Sequence, residues 1–292
     1  MKTRYLNICA ALWLLTCLPA LAGQSVKESW AINADASISI ENVAGKIEVE
    51  GWDENQAELT GRLGDSVDEL EIEATDSRLK IIVANRRSRN VDNTELRLMV
   101  PRGASVSASG VSADIYVSGL KNEKMTANSV SGDVTVDIQS DRVSIESVSG
   151  DVGFSGQTKR ISAESVSGDI ELSGISGEIS ATTVSGDMEL QAGLIDNGKL
   201  ETVSGDLTFT GELNGNAKLT AESMSGDVEM YLPAGQSGMF RAESFSGSIH
   251  SDFGSVDHAK YGPGSHLKFT AGESGAEVRV ESFSGNIKLK SR

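Results

Sequence analysis

Six aspartates, Asp133, Asp151, Asp169, Asp187, Asp206 and Asp227, each follow a Ser-Gly pair, at separations of 18, 18, 18, 19 and 21 residues. A second acidic series, Glu146, Glu164, Glu201, Glu222 and Glu243, runs in step with them. If equivalent residues stack, each series becomes a column of carboxylates, and oxygen ligands in a line are the ligands a calcium ion takes. The six aspartates are therefore the candidate metal ligands of this chain. The competing reading is a row of solvated corner residues, because unit charges ~5 Å apart in water repel by only about 0.8 kcal/mol and need no cation. Calcium-binding β-rolls carry a Gly-Gly-x-Gly-x-Asp motif every nine residues or so, whereas this chain has one Gly-Asp per repeat of about twice that length.

Other residue types offer less chemistry. The three histidines, His250, His258 and His266, fall in or beside 251–275, a stretch that also holds Asp252, Asp257, Tyr261, Gly262-Pro-Gly264 and Glu273. Loops that interrupt regular structure often carry binding residues, but this spacing matches no familiar zinc arrangement. Serine is plentiful without a Gly-x-Ser-x-Gly elbow. Both cysteines, Cys9 and Cys17, lie near the N-terminus, so a thiol mechanism is excluded if that segment is removed. Paired surface carboxylates could in principle cleave glycosides. An active site is a singular constellation, however, and near-identical carboxylates in every repeat argue for a scaffold. No catalytic residue and no cofactor are expected.

The elements that position these residues follow from the repeat itself. Between Val130 and Ile249 the pattern apolar-Ser-Gly-(Asp/Ser)-apolar recurs seven times, with glycines at 132, 150, 168, 186, 205, 226 and 247; Gly285 follows after 38 residues, two gaps of 19. So short a period marks a solenoid whose coils stack on their neighbours. In Ile161–Gly174, Ile161 and Ala163 alternate with polar residues before the corner, and Ile170 and Leu172 do so after it. Period-2 alternation gives each strand one core face and one wet face. Glycine suits the sharp turn, and a larger residue at Gly168 should strain it.

Parity leaves one question at the corner, since Glu164 and Val166 fall on the same face. Either Val166 is exposed or the strand bends near Ser165. The apolar column Val148, Val166, Val184, Val203, Met224 and Phe245 favours the bend, which would bury it and put Ser147, Ser165, Thr183, Thr202, Ser223 and Ser244 at the kink.

The expected fold is all-β: a parallel β-solenoid of about 18–21 residues per coil, a right-handed β-helix by the crossover rule, with an N-terminal antiparallel hairpin cap. Three stretches are anticipated. Residues 1–22 read as a signal peptide, with Lys2 and Arg4 before an apolar run and Ala20-Leu-Ala22 at the cleavage site; Leu14-Leu-Thr-Cys17 offers the alternative of a lipoprotein box. Residues 23–105 form a first coil plus antiparallel capping strands around 70–74, 79–83 and 96–100. Residues 106–292 form the solenoid repeats, with an insertion near 251–275. Asn42-Val-Ala-Gly-Lys-Ile47 and Gly110-Val-Ser-Ala-Asp-Ile115 are degenerate repeats, and Pro101 and Pro233 should end strands. The cluster Asn85-Arg-Arg-Ser-Arg89 reads as a solvated hairpin tip.

Charge narrows the partners. Without the first 22 residues, 24 Lys and Arg face 42 Asp and Glu, a net of −18, and such a field repels nucleic acid and anionic membranes. No later segment has the ~20 apolar residues of a spanning helix. An exported chain without disulfides can still build its core at this length.

The Ser-Val-Ser-Gly-Asp-Val repeats, the Pro-x-Gly strand ends and the opening Asn-Val-Ala-Gly-Lys-Ile-Glu-Val-Glu-Gly51 resemble the bacterial β-strand-repeat "putative adhesin" family, a domain of unknown function. The resemblance spans about Ile40 to Leu289 and implies a β-solenoid at the cell envelope; it brings no catalytic residues. The expected function is a non-enzymatic exported scaffold or adhesin-like protein, periplasmic or at the cell surface, binding an envelope component, glycan or protein. A polysaccharide-active β-helix enzyme and a calcium-dependent adhesion module are the alternatives.

Overall fold

The computed structural model describes residues 14–19, 24–84, 92–258, 264–272 and 275–292. Every regular element among them is a β-strand, and all the strands join one continuous hydrogen-bonded sheet. The basic cluster at 85–89 and residues Tyr261, Gly262, Pro263 and Glu273 lie outside the described residues.

The 18-residue period becomes a parallel register. Val152–Ser165 lies along Val134–Ser147 with Val152 opposite Val134 and Ala163 opposite Ile145. Ile170–Ser185, Met188–Ser204 and Leu207–Ser225 follow in turn. Each repeat faces inward from both its limbs: Val152 and Phe154 before the mid-coil turn and Ile161 and Ala163 after it are all at most 3% exposed. Burying each large aliphatic side chain in this shared core contributes roughly 2 kcal/mol. The mid-coil turn at Gly156 and Gly174 uses φ of 126° and 80°, a region open to glycine.

The corner glycines form a column for a different reason. A Cβ on Gly150 would meet the carbonyl oxygen of Gly132 at 2.2 Å, and one on Gly168 would meet that of Gly150 at 2.2 Å. The same clash recurs at Gly186, Gly205 and Gly226. Coils approach too closely at this corner for any side chain.

The column shows that chain order and stacking order part at the C-terminus. A Cβ on Gly285 would strike Gly226, and one on Gly247 would strike Gly285, each at 2.0 Å. Gly285 therefore sits between Gly226 and Gly247, not beyond both as the spacing of 38 suggests. Strand Ala276–Ser284 pairs parallel with Leu207–Ser225 on one side and Gly238–Ser244 on the other. Strand Ile287–Ser291 likewise separates Val228–Leu232 from Ile249–Ser251. The physical cause is the 251–275 insertion: Ser265–Ala271 runs antiparallel on the outer edge of Gly238–Ser244, so it covers that edge and the chain returns to fill the slot inside.

The N-terminal end is built in the same way. Ser37–Trp52, the first repeat in sequence, lies between Ser105–Ser129 and an outer coil of Arg78–Ala84 and Thr94–Pro101, parallel to all three. Glu69–Thr75 and Gln56–Arg62 pair antiparallel on that outer coil, and Ser25–Ala31 pairs with Gln56–Arg62. Of the capping strands expected around 70–74, 79–83 and 96–100, only the first lies antiparallel on the outside; the other two are the parallel outer coil itself, and Gln56–Arg62 and Ser25–Ala31 supply the remaining antiparallel cover. Within the segment read as a signal peptide, Leu14–Pro19, which includes Cys17, runs antiparallel along Glu69–Thr75.

The bend expected near Ser165 does not form. Alternation continues through Glu164, Ser165 and Val166, with the serine buried and the other two exposed. The corner needs a small hydroxyl inside: Ser129 Oγ and Ser147 Oγ accept the N–H groups of Gly132 and Gly150 at 2.9 and 3.0 Å. Orphaning those two buried donors would cost more than leaving a valine in water, and the same alternation runs on through Ser165, Thr202 and Ser223, whose oxygens have no hydrogen-bond partner.

Candidate functional site

The six predicted aspartates do form a column, and hydrogen bonds between coils explain it. Asp133 Oδ1 accepts the backbone N–H of Asp151 at 3.0 Å, Asp151 that of Asp169 at 3.0 Å, and Asp169 that of Asp187 at 2.8 Å. Asp187, Asp206 and Asp227 continue the chain to Asn286, each bond being 2.8 Å. Asn286 Oδ1 then accepts the N–H of Ser248. One oxygen of each aspartate is thereby committed to the backbone of the next coil. Among the described residues no three or more His, Cys, Asp or Glu side chains gather where they could hold a metal ion. His250 and His266 are both exposed, on Ile249–Ser251 and Ser265–Ala271, and His258 falls in the short strand Asp257–His258. Among the described residues His250 and His266 belong to no group of three or more potential metal ligands.

The apolar column expected to be buried at a bend is the larger exposed surface. Val111, Val130, Val148, Val166, Val184, Val203, Met224, Phe283 and Phe245 are 43–56% exposed and succeed one another along the solenoid. Their order follows the pairing: Thr183 and Ser185 lie opposite Thr202 and Ser204, then Thr202 and Ser204 opposite Ser223 and Ser225. Phe283 comes next, opposite Met224 in the same register, and its ring stacks on that of Phe245 at 4.9 Å and 8°. Backbone bonds such as Ser167 N–H to Val148 C=O at 2.9 Å hold the ridge rigid. With inter-strand steps of about 4.8 Å, nine side chains make an apolar line nearly 40 Å long. Scattered surface hydrophobes need no explanation, but a contiguous line does.

At its C-terminal half the ridge borders a groove of about 1020 Å³. Val184, Val203, Met224, Phe245 and Phe283 form one wall, and Glu201, Glu222, Glu281 and Glu243 form the other. Strand pairing places Glu201 beside Glu222, Glu222 beside Glu281, and Glu281 beside Glu243. Two cations lean on this ladder: Lys199 Nζ lies 2.8 Å from Glu201 and Arg279 2.6 Å from Glu281. Their hydrogen bonds to those carboxylates raise the pKa of both cations.

Between the two walls runs the buried hydroxyl column. Thr202 and Ser223 are 5% and 6% exposed, and Thr202 Oγ1 and Ser223 Oγ have no hydrogen-bond partner. The N–H of Gly205, which a hydroxyl takes in earlier coils, here bonds to Ser225 C=O at 3.1 Å, which leaves Thr202 without its donor.

A second, polar groove of about 1070 Å³ runs along the mid-coil turns, lined by Asn122, Glu123, Gln139, Asp141, Gln157 and Lys159 among others. It carries no apolar ridge.

The family model for Toastrack DUF4097 matches residues 28–290. The chain belongs to the Toastrack DUF4097 family. No match emerges among curated proteins. Solved structures similar to this Toastrack chain include a "putative adhesin" from Bacteroides fragilis, with 14% identity and a TM-score of 0.47 over 91% of this chain and 97% of that one. A "putative lipid binding protein" from Parabacteroides distasonis has 14% identity and a TM-score of 0.49 over 92% and 99%. A "putative adhesin" from Parabacteroides merdae has 12% identity and a TM-score of 0.34 over 92% and 98%. At these values none of them bears on what this Toastrack chain binds.

Proposed function

We propose that this chain is an exported, non-enzymatic β-solenoid scaffold of the bacterial envelope, a right-handed parallel β-helix that binds a partner along its apolar ridge. The observation that carries this reading is the ridge itself, nine side chains in register and each roughly half exposed. A monomer gains nothing from such a line in water, and a contiguous exposed patch marks an interaction surface. Repetition supports the scaffold reading against a glycan-cleaving enzyme, because the corner aspartates of successive coils all make the same bond to the next coil and none is singled out. Apolar-to-serine substitutions at Val184, Val203 and Met224 test the binding face: they should abolish capture of the partner while leaving the fold intact.

Two measurements separate the alternatives. Incubating the purified mature protein with cell-wall and capsular glycans should release no reducing ends or unsaturated sugars over time; their release would establish the enzyme. The melting temperature should rise no more with millimolar calcium than with matched magnesium; a calcium-specific rise would establish the adhesion module, since a ligand bound only by the native state raises it by mass action.

A further inference from the structure

We infer that the groove at the C-terminal half of the ridge accepts a cationic amphipathic helix of a partner protein; this rests on the reading of the ridge as the binding face. Two observations on the groove converge. Its apolar wall carries the largest side chains of the ridge, Met224, Phe283 and Phe245, after six valines, and aromatic anchors dominate binding energies. Its other wall is a ladder of four glutamates, Glu201, Glu222, Glu281 and Glu243, against which, among the described residues, Arg279 and Lys199 are paired.

The spacing selects the shape of the occupant. Ridge residues step by about 4.8 Å from coil to coil, and an α-helix advances about 5.4 Å per turn. Over the five ridge positions of the groove the two repeats differ by only about 2 Å in total, so one apolar side chain per turn meets each coil. An extended strand presents same-face residues every ~6.7 Å and loses register after two coils. Helices that dock in grooves present anchors at i, i+3, i+4 and i+7, and Lys or Arg beside that stripe would face the glutamate ladder. Charge also decides among occupants. A second copy of this acidic chain would set like ladders together, and an anionic lipid surface would be repelled.

The test uses the full mature protein and three synthetic peptides of about 18 residues, labelled for fluorescence anisotropy. The first sets Leu at helical spacing with Lys beside it; the second has the same composition in strict alternation; the third replaces Lys with Glu. The first should bind and the other two should bind at least about tenfold more weakly. Val203→Ser/Met224→Ser/Phe283→Ser and Glu201→Gln/Glu222→Gln/Glu281→Gln should each weaken it by about tenfold or more. The charge-matched variant Asp35→Asn/Glu123→Gln/Asp141→Asn, in the polar groove, should leave it within about twofold. Equal loss in that control, or equal binding of the alternating peptide, overturns the inference in favour of diffuse attraction to an acidic surface. Ridge-dependent flotation with phosphatidylcholine vesicles, or ridge-dependent self-association, overturns it in favour of a lipid or a second copy. If no peptide binds while an envelope component is still captured through the ridge, the helix inference falls and the scaffold reading stands; if ridge variants change neither, both fall.

Discussion

Asp151 Oδ1 accepts the backbone N–H of Asp169 at 3.0 Å across the gap between two coils, and the same bond repeats from Asp114 to Asn286. The aspartate of each Ser-Gly-Asp corner thus does for the next coil what an N-cap residue does for a helix, lending a side-chain oxygen to a backbone donor. Asp151→Ala should lower stability by about 1 kcal/mol, the net worth of one such bond. Asp151→Asn keeps the accepting oxygen and removes a like charge from the column, so it should match or exceed the native midpoint in urea. Equal destabilisation by both would contradict the ladder.

Gly168→Ala should cost about 2–3 kcal/mol, because its Cβ meets the Gly150 carbonyl oxygen at 2.2 Å and backbone on both coils must shift. Gly215 has no atom within 4 Å of such a Cβ, and Gly215→Ala should stay within about 0.5 kcal/mol of native. Denaturant midpoints of the pair measure the difference directly.

The period made the corner glycines and the parallel register legible, since one close approach repeated at about 18 residues demands glycine from Gly132 onward, with Ala113 beneath it at the start of the column. The direction of the valine column was not legible. Apolar type argued for burial, whereas the deciding fact was the buried bond from the Gly150 N–H to Ser147 Oγ, a contact that parity alone does not reveal. Stacking order was hidden for another reason: a gap of 38 residues fits either a skipped coil or a return, and only the antiparallel cover of Ser265–Ala271 on Gly238–Ser244 makes the chain turn back. The groove was half visible, as the glutamate series in the sequence without the apolar wall that faces it.

Removal of residues 276–292 should therefore unfold the entire C-terminal end, not a single last coil. The deletion empties the slot between Leu207–Ser225 and Gly238–Ser244 and frees two sheet edges at once, which invites aggregation. Light scattering on heating, compared with the full chain, reports this; an unchanged onset would contradict the intercalated order.

The same strand is tied by charge. Lys288 bonds to Glu229, which also accepts from Tyr231. The bond from Lys288 and then that from Tyr231 hold the Glu229 carboxyl below the usual carboxylate range, and the Glu229 bond holds the Lys288 ammonium above its own. A depressed carboxyl adds stability that is complete above its unfolded value and fades as pH falls through the folded one; a raised ammonium adds stability that fades as pH rises through its folded value. The deficit of Glu229→Gln should be constant at neutral pH, shrink in acid below the carboxylate range and shrink again in alkali above the lysine range. A deficit that persists undiminished in acid would contradict the assignment.

The binding face is tested most directly by a photo-crosslinking amino acid placed in the living cell, at Val203 on the ridge in one variant and at Glu123 in the polar groove in another. The account predicts a discrete covalent adduct at Val203 and none at Glu123. Adducts at Glu123 alone, or no adduct at Val203, would contradict it.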